Sequence, residues 1–248
     1  MVENKPVYSV ENIARNLEQV YARIDLSAGQ AGRNPQDVRL VVVTKTHPVE
    51  VIQALLAAGV NSIGESYIEE ALPKITALAE RSGVEWHMIG HVQSRKARQV
   101  CENFQFLHSL DSLKLAHHLN KFAGESGKTL PVLLECNVSA EQSKFGWPAW
   151  DEAQWTELLS PIQQVLNLPD LDVRGLMTIA PWVDDPDQAR PFFQRLRKLQ
   201  SFLSHNFPQA NWQELSMGMS ADFEVAIQEG ATIVRVGQAI LGPRMVHE

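Results

Sequence analysis

The hydrophobic positions of the chain fall into two recurring patterns, short continuous apolar runs and longer stripes with helical spacing. The first run, 39–43, contains three β-branched valines and is typical of a strand buried on both faces of a parallel sheet. Pro48 and an apolar stripe that stops at Gly59 follow it, which indicates a helix. Together they predict one βα unit, with Lys45 at the carboxyl end of its strand.

The same succession of strand and helix continues along the chain. Apolar positions spaced three and four apart predict a helix from Ser9 to about Ala28, ahead of the first strand. Further strands are predicted at 61–66, 85–90, 105–110, 130–138, 172–180, 212–217 and 232–236. Helical stripes lie between them at 67–80, 95–104, 150–166, 185–205 and 221–229, with another that begins at Ser112.

This order of elements predicts an α/β protein and, within that class, a single closed (β/α)8 barrel, the TIM barrel. The chain has 248 residues, near the usual length of about 250 for this fold, and no change of composition marks a linker. We therefore expect one domain over 1–248, in which residues 1–30 form the helical segment before the first strand. The alternative is an open, doubly wound sheet, which has the same succession of elements.

Composition and charge narrow the range of partners. The net charge of −7 gives no general attraction to nucleic acid or to acidic membrane surfaces. The first residues lack the apolar segment of a signal peptide, and no apolar run reaches the length of a membrane span. The two cysteines, Cys101 and Cys136, indicate a reducing compartment without a disulfide framework. We expect a cytoplasmic protein that binds neither nucleic acid nor membranes.

A barrel brings the residues that follow each strand to one face, where TIM-barrel sites lie. The candidates placed there are Lys45, Asn137, Met177, Ser216, Met217, Gly218, Ser220, Arg235, Gly237 and Gln238. The small residues after the seventh and eighth strands offer N–H groups and hydroxyls to an anion, and barrels often hold phosphate there. The alternative is structural, with Ser220 capping a helix and the glycines serving tight turns.

A lysine that faces a phosphate site across a barrel mouth is the arrangement that a pyridoxal phosphate enzyme needs. The amine of Lys45 would form a Schiff base with the aldehyde, while amides and hydroxyls hold the phosphate. Arg235 would face the pyridine nitrogen and, because arginine stays charged, keep that nitrogen unprotonated. Such a cofactor is a poor electron sink. Taken singly, Lys45 and Arg235 could equally be charges that reach solvent from strand ends.

Three other motifs give weaker signals. His87 and His91 are four residues apart but lie on a strand and its loop, so orienting or packing roles are favoured over a zinc site. The segment 124–129 looks like the end of a phosphate-binding loop, yet a strand follows where a helix is required, which indicates a turn. The basic residues at 95–98 begin a helix that Ser94 is placed to cap. No metal site is predicted.

Seven blocks of sequence, together with Asn137 and Asp222, form a distinctive set. The blocks are 43–45, 63–67, 86–96 (WHMIGHVQSRK), 144–146, 175–178, 215–220 (LSMGMS) and 235–237. In this order, and over almost the whole chain, they resemble the pyridoxal phosphate homeostasis protein family. Two positions depart from the family pattern, because Thr44 stands where serine is common and Ser66 where asparagine is common.

The resemblance implies a fold and a role for each matching residue. The fold is a single barrel similar to the N-terminal domain of alanine racemase. Lys45 would be the Schiff-base lysine, and Arg235 would face the pyridine nitrogen. The phosphate would be held by Ser216, Gly218 or Ser220, with Gly237 and Gln238.

For function, the resemblance favours a protein that carries or buffers pyridoxal phosphate in vitamin B6 and amino-acid homeostasis, without an established reaction of its own. The alternative is an amino-acid racemase, which needs a second acid or base opposite Lys45. The tyrosines are Tyr8, Tyr21 and Tyr67, and the barrel uses the whole chain, so no second domain is expected to complete such a site. A third hypothesis is a site for an unrelated phosphorylated metabolite. We expect a monomer, with pyridoxal-phosphate-dependent apoenzymes as recipients.

Overall fold

Eight parallel strands close into a barrel in the computed structural model, which describes residues 9–242. In chain order the strands are β1 (Arg39–Val43), β2 (Ser62–Glu65), β3 (Glu85–Met88), β4 (Phe106–Leu110), β5 (Leu130–Asn137), β6 (Trp147–Pro148), β7 (Leu171–Met177), β8 (Glu214–Ser216) and β9 (Ile233–Val236). The two-residue β6 pairs with the end of β5 in a separate sheet. The ring therefore consists of the other strands, in the order in which the chain supplies them.

The ring closes because β1 pairs with β2 on one side and with β9 on the other. At Val42 the two partners are Ile63 of β2 and Val236 of β9. On the opposite side β4 pairs with β5, also in parallel. The predicted (β/α)8 barrel is confirmed, and the open doubly wound sheet is excluded.

Helices connect the strands and cover the outside of the ring. They are α1 (Val10–Gln30), α2 (Val49–Ala57), α3 (Ile68–Ala77), α4 (Ala97–Asn103), α5 (Leu113–Glu125), α6 (Leu159–Leu166), α7 (Arg190–Asn206), α8 (Phe223–Gln228) and α9 (Gln238–Leu241). Short 3₁₀ segments lead directly into α4, α6 and α7; they are Ser94–Lys96, Glu152–Leu158 and Pro186–Ala189. A further 3₁₀ turn, Pro35–Asp37, precedes β1. Among the helices of residues 9–242, none has the length and apolar character that crossing a membrane requires.

The first helix, α1, lies where the spacing of apolar residues predicts it. Ser9 caps it by accepting a hydrogen bond from the Asn12 N–H at 3.2 Å. Its buried stripe packs against α2, α8 and α9 and consists of Ile13, Leu17, Val20 and Ile24. The remainder of the expected segment, 1–8, and the last residues, 243–248, lie outside the described residues.

Apolar side chains form two cores, one outside the ring and one inside it. The outer core lies between the strands and the helices. The inner core is buried and consists of Val41, Phe106, Leu133, Met177 and Ile233. These residues come from five strands around the ring, so they meet in the barrel interior.

Four α-helices begin two or more residues later than the sequence predicts, namely α4, α6 and α7, which follow 3₁₀ segments, and α8, which follows a turn. Ser94 lies inside a 3₁₀ segment, and α4 begins only at Ala97, so Ser94 is not its cap. The helix predicted from 221 begins at Phe223, because the Asp222 carboxylate accepts a hydrogen bond from the Met219 N–H at 2.6 Å and holds the preceding residues in a turn. Ser220 therefore does not cap this helix.

Candidate functional site

Lys45 lies two residues beyond β1, in the turn that leads to α2. Thr44 continues the strand, because its N–H donates to the Gly64 oxygen of β2 at 3.0 Å. The chain then turns through Thr46, whose φ of +65° is uncommon for a residue with a side chain. This turn places the half-buried Lys45 at the carboxyl end of the barrel, as the sequence predicts.

A buried lysine on α3, Lys74, fixes that turn. Its Nζ donates to Glu65 Oε1 at 2.8 Å, to Glu70 Oε1 at 2.7 Å and to the Thr44 oxygen at 3.1 Å. The Thr44 hydroxyl donates to the same Glu65 oxygen at 2.6 Å, and the Thr46 N–H donates to Glu70. Burial raises the pKa of Glu65, while Lys74 and Thr44 oppose that rise. The residues on both sides of Lys45 are thus tied to β2 and α3.

Arg235 of β9 is buried, which excludes the alternative of a surface charge. Its Nη1 donates to the Ser216 hydroxyl at 2.6 Å, and its Nη2 donates to the Thr178 oxygen at 2.9 Å. Burial lowers the pKa of Arg235 to about 10, so the guanidinium still carries its charge at neutral pH. The arrangement holds a desolvated cation near the carboxyl ends of β8 and β9.

Two buried histidines extend this contact into the barrel. Nδ1 of His108 lies 2.9 Å from the Ser216 hydroxyl, and its Nε2 lies 3.0 Å from Nδ1 of His87. His87 therefore lies inside the barrel, whereas His91, four residues later, lies in the loop after β3. Among residues 9–242, no group of three potential metal ligands is assembled.

The turn after β8 requires glycine at its centre. Gly218 has a φ of +92°, and a Cβ built there would lie 2.6 Å from the Ala226 Cβ. Ser220 then approaches the start of α9, where its hydroxyl accepts a hydrogen bond from the Ala239 N–H at 3.2 Å. Because Gly237 and Gln238 begin that helix, the structure brings the predicted phosphate residues of two loops together.

Two of the predicted residues have side chains engaged elsewhere. The Met217 side chain is buried in the outer core, and its N–H donates to the Ile233 oxygen at 3.1 Å, so Met217 offers no donor to a ligand. Met177 lies in the inner core at the end of β7. Both positions are compatible with a wall of the site rather than with a polar contact.

Asn137, at the end of β5, organises the loop that follows it. Its amide donates to the Glu141 oxygen at 2.9 Å and to the Lys144 oxygen at 3.4 Å, and its Oδ1 accepts from the Ser139 N–H at 3.1 Å. The side chain therefore shapes the long loop that the sequence places at this mouth.

That loop contacts the loop after β3, which in turn contacts the loop after β4. The ring of His91, after β3, stacks on Phe145 with centroids 3.7 Å apart and planes 11° apart. Nδ1 of His91 lies 2.8 Å from Oδ2 of Asp111, which follows β4. Neither contact could be read from spacing along the chain.

Glu135 is a further group at this end of the barrel that the sequence reasoning missed. It is buried on β5, and burial raises its pKa to about 7, with Asp111 adding to the rise and Arg235 opposing it. Its Oε2 has no hydrogen-bond partner among the described residues. The signal in the sequence is one acidic residue within an otherwise uncharged strand.

Comparison with known proteins shows the family of this chain. Residues 11–245 match the family model of the alanine racemase N-terminal domain. The pyridoxal phosphate homeostasis protein of Vibrio alginolyticus is 38% identical over 238 residues, covering 95% of this chain and 99% of the relative. That of Aquifex aeolicus is 38% identical over 233 residues, covering 94% of this chain and 99% of the relative. The chain belongs to the pyridoxal phosphate homeostasis protein family.

Solved structures agree with this family membership and with the fold. PipY of Synechococcus elongatus PCC7942, in the structure with pyridoxal phosphate bound, is 34% identical, with a TM-score of 0.78 over 93% of this chain and 100% of that chain. Alanine racemase of Clostridium difficile 630 has a TM-score of 0.66 at 16% identity, over 93% of this chain and 56% of that chain. The racemase likeness shows the barrel fold alone, which confirms the fold that the resemblance implies.

Proposed function

We propose that this protein binds pyridoxal phosphate at the carboxyl end of the barrel, as a Schiff base on Lys45, and carries or buffers it in vitamin B6 and amino-acid homeostasis. The observation that supports this most strongly is a lysine at the end of β1 in the same barrel mouth as a buried arginine and the turn that requires Gly218. When bound, the cofactor supplies an aldehyde that a deprotonated amine captures reversibly. Relatives named as homeostasis proteins and PipY with its bound cofactor favour the same ligand.

The residues present suit the chemistry of such a ligand. Arg235 is a buried cation that can donate to an unprotonated pyridine nitrogen. The Ser220 hydroxyl and the N–H groups of Gly237 and Gln238 can donate to phosphate oxygens, since the first N–H groups of a helix have no acceptor within it. The next N–H, that of Ala239, already donates to Ser220. The Lys74 contacts tie the residue before Lys45 to β2 and α3. Each part of the cofactor thus has a complementary group.

We further propose that the protein is not an efficient enzyme. Its relatives are named as homeostasis proteins. A racemase with two bases needs an acid or base on each face of its substrate. Tyr21 lies on the outer helix α1, and Tyr67 is an exposed residue at the start of α3; Tyr8 lies outside the described residues. A charged Arg235 beside the pyridine nitrogen would also limit carbanion formation.

We also propose a cytoplasmic location, a monomeric state and a class of recipient for this protein. Buried, unpaired Cys101 and Cys136 suit a reducing cytoplasm. A closed ring leaves no open sheet edge among its eight strands for pairing with a second copy, which favours a monomer. The recipients would be pyridoxal-phosphate-dependent apoenzymes.

A transfer assay tests the carrier against the racemase. The protein is loaded with pyridoxal phosphate, freed of excess, and mixed with a purified apoenzyme that needs the cofactor, while L- and D-alanine are followed in a parallel sample. We expect the apoenzyme to regain activity and the alanine to keep its configuration. Rapid racemisation that is lost in Lys45→Ala would support the alternative enzyme instead.

A further inference from the structure

A continuous series of polar side chains crosses the barrel interior from Arg235 to Glu85. The links are Arg235 Nη1 to Ser216 Oγ at 2.6 Å, Ser216 Oγ to His108 Nδ1 at 2.9 Å, His108 Nε2 to His87 Nδ1 at 3.0 Å, and His87 Nε2 to Glu85 Oε2 at 3.2 Å. Ser216, His108 and His87 are fully buried. We call these five residues the interior chain.

The interior chain connects opposite ends of the barrel. Arg235 lies near the carboxyl end of β9 and Ser216 ends β8, whereas Glu85 is the first residue of β3 and 40% of its side chain is exposed. His108 of β4 and Ser216 of β8 are on strands that are not neighbours in the ring. These two side chains therefore meet across the barrel interior rather than between neighbouring strands.

When both histidine rings are neutral, the carboxylate end sets the direction of the hydrogen bonds, because the Ser216 oxygen can accept from Arg235 and still donate its own hydrogen. An arginine can only donate, so Ser216 accepts from Arg235. At the other end, the His87 ring lowers the pKa of Glu85 to about 2, so Glu85 is a carboxylate that only accepts. The contact of His87 with Glu85 is a close approach rather than a well-aligned bond, but the negative charge still favours a proton on Nε2.

When both rings are neutral, one set of tautomers satisfies this chain. With its proton on Nε2, His87 accepts at Nδ1 from the Nε2–H of His108, and His108 accepts at Nδ1 from the Ser216 hydroxyl. Burial lowers the pKa of His108 well below its usual value, and the charge of Arg235 adds to this effect, which keeps this ring neutral. The reverse assignment would place an unprotonated Nε2 of His87 against the Glu85 carboxylate.

We infer that His108 and His87 are positioning residues for Arg235, which they orient through the Ser216 hydroxyl. This inference rests on the proposed function, in which Arg235 faces the pyridine nitrogen. With its hydrogen committed to His108, the Ser216 oxygen presents its lone pairs to the guanidinium. That bond and the bond to the Thr178 oxygen hold the plane of Arg235, while the other N–H groups of the guanidinium serve the ligand.

The direction of the chain can be measured on the protein without cofactor. Two-bond ¹H–¹⁵N spectra of protein labelled with ¹⁵N-histidine report the protonated nitrogen of each ring, and His87→Asn and His108→Asn assign the signals. We expect both rings to be neutral with the proton on Nε2. A proton on Nδ1 in either ring, or a charged ring at neutral pH, would overturn the inference.

The effect on Arg235 is measured through bound pyridoxal phosphate. In His108→Leu the Ser216 hydroxyl loses its acceptor, and we expect roughly tenfold weaker binding, as for one buried hydrogen bond, with a shifted absorption band. In His108→Asn the Oδ1 atom takes the place of Nδ1, so binding and spectrum return toward those of the wild type. His117→Asn, on the exposed side of α5, is the control. Wild-type affinity and spectrum in His108→Leu would contradict the positioning role.

Two further comparisons address a variant that does not fold and a wild-type protein that does not bind the cofactor. Should His108→Leu not fold, His87→Leu and His87→Asn repeat the comparison one link further along the chain, with a smaller expected effect. A wild-type protein that forms no Lys45-dependent band would refute the proposed function and the role toward the cofactor. The tautomer spectra would then still test the direction of the hydrogen bonds in the interior chain.

Discussion

Lys74 ties the turn that contains Lys45 to the rest of the barrel. From the sequence, Lys74 and Glu70 resemble an ordinary pair of opposite charges four residues apart on a helix surface. The structure shows instead a buried ammonium shared by two carboxylates and the Thr44 oxygen. A surface pair and a buried ammonium differ in their burial. Burial depends on contacts between elements, which the local sequence pattern does not specify.

Replacing Lys74 should therefore cost far more than replacing a surface lysine. Lys74→Met leaves Glu65 buried without its cation, and we expect a loss of about 3 kcal/mol in the free energy of unfolding. The control is Lys121→Met, which removes an exposed pair with Glu125 four residues away and should change stability by less than about 0.5 kcal/mol. Urea denaturation measures both. Equal stability of the two variants would show that the Lys74 contacts contribute little.

Glu135 gives the molecule a pH dependence of known sign. Its pKa is raised from 4.5 to about 7 in the folded protein, so the folded state keeps a proton that the unfolded chain releases. This contribution to stability is fully present below about pH 4.5 and is lost as the pH rises through about 7. Glu135→Gln should thus be more stable than the wild type at about pH 8, by up to roughly 3 kcal/mol.

Urea denaturation of the cofactor-free protein at several pH values tests this expectation. The advantage of Glu135→Gln should shrink as the pH falls and vanish below about pH 4.5, where both side chains are neutral. Glu157→Gln removes an exposed carboxyl and serves as the control. An advantage that is independent of pH would mean that the carboxyl does not titrate in this range.

Among the elements, the turn between β8 and α8 depends on Gly218 for two separate reasons. Its φ of +92° disfavours any side chain, and the space that a Cβ needs is occupied by Ala226 and Phe223. Gly127 has a similar backbone, with a φ of +64°, but a Cβ there would meet no atom within 4 Å. Comparing alanine substitutions at these two glycines therefore separates the cost of backbone strain from the cost of steric overlap.

Gly127→Ala should lose about 1 kcal/mol of stability, from backbone strain alone. Gly218→Ala should lose about 3 kcal/mol, because overlap adds to the strain, and it should also weaken pyridoxal phosphate binding by displacing Ser220. Thermal unfolding and equilibrium dialysis measure the two effects. The same small loss in both variants, with unchanged binding, would exclude a structural role for the crowded turn.

The elements themselves could be predicted from sequence because each depends on nearby residues. The run at 39–43 specifies β1 by its own apolar character, and Ser9 marks the start of α1 by its own side chain. The start of α8 could not be predicted in this way. The decisive contact is the Asp222 carboxylate on the Met219 N–H, which competes with the helical conformation over the preceding residues.

At the scale of the whole molecule, closure of the ring brings together side chains that are far apart in the sequence. Ser216 and His108 are 108 residues apart in the chain, yet their side chains are in contact. The spacing of residues within single βα units places Lys45 and Arg235 at one mouth, whereas contacts across the interior depend on the register of all eight strands. The location of these candidate residues at one mouth was therefore predictable, whereas the hydrogen bonds across the interior were not.

The central claim is that Lys45 holds pyridoxal phosphate as a Schiff base at this mouth. The most direct test is the absorption spectrum of the purified protein after addition of the cofactor, beside Lys45→Ala and the surface variant Lys121→Ala, followed by borohydride reduction and peptide mapping. We expect a visible Schiff-base band in the wild type and in Lys121→Ala, with the reduced adduct on Lys45. The absence of a band in the wild type, or an undiminished band in Lys45→Ala, would contradict the account.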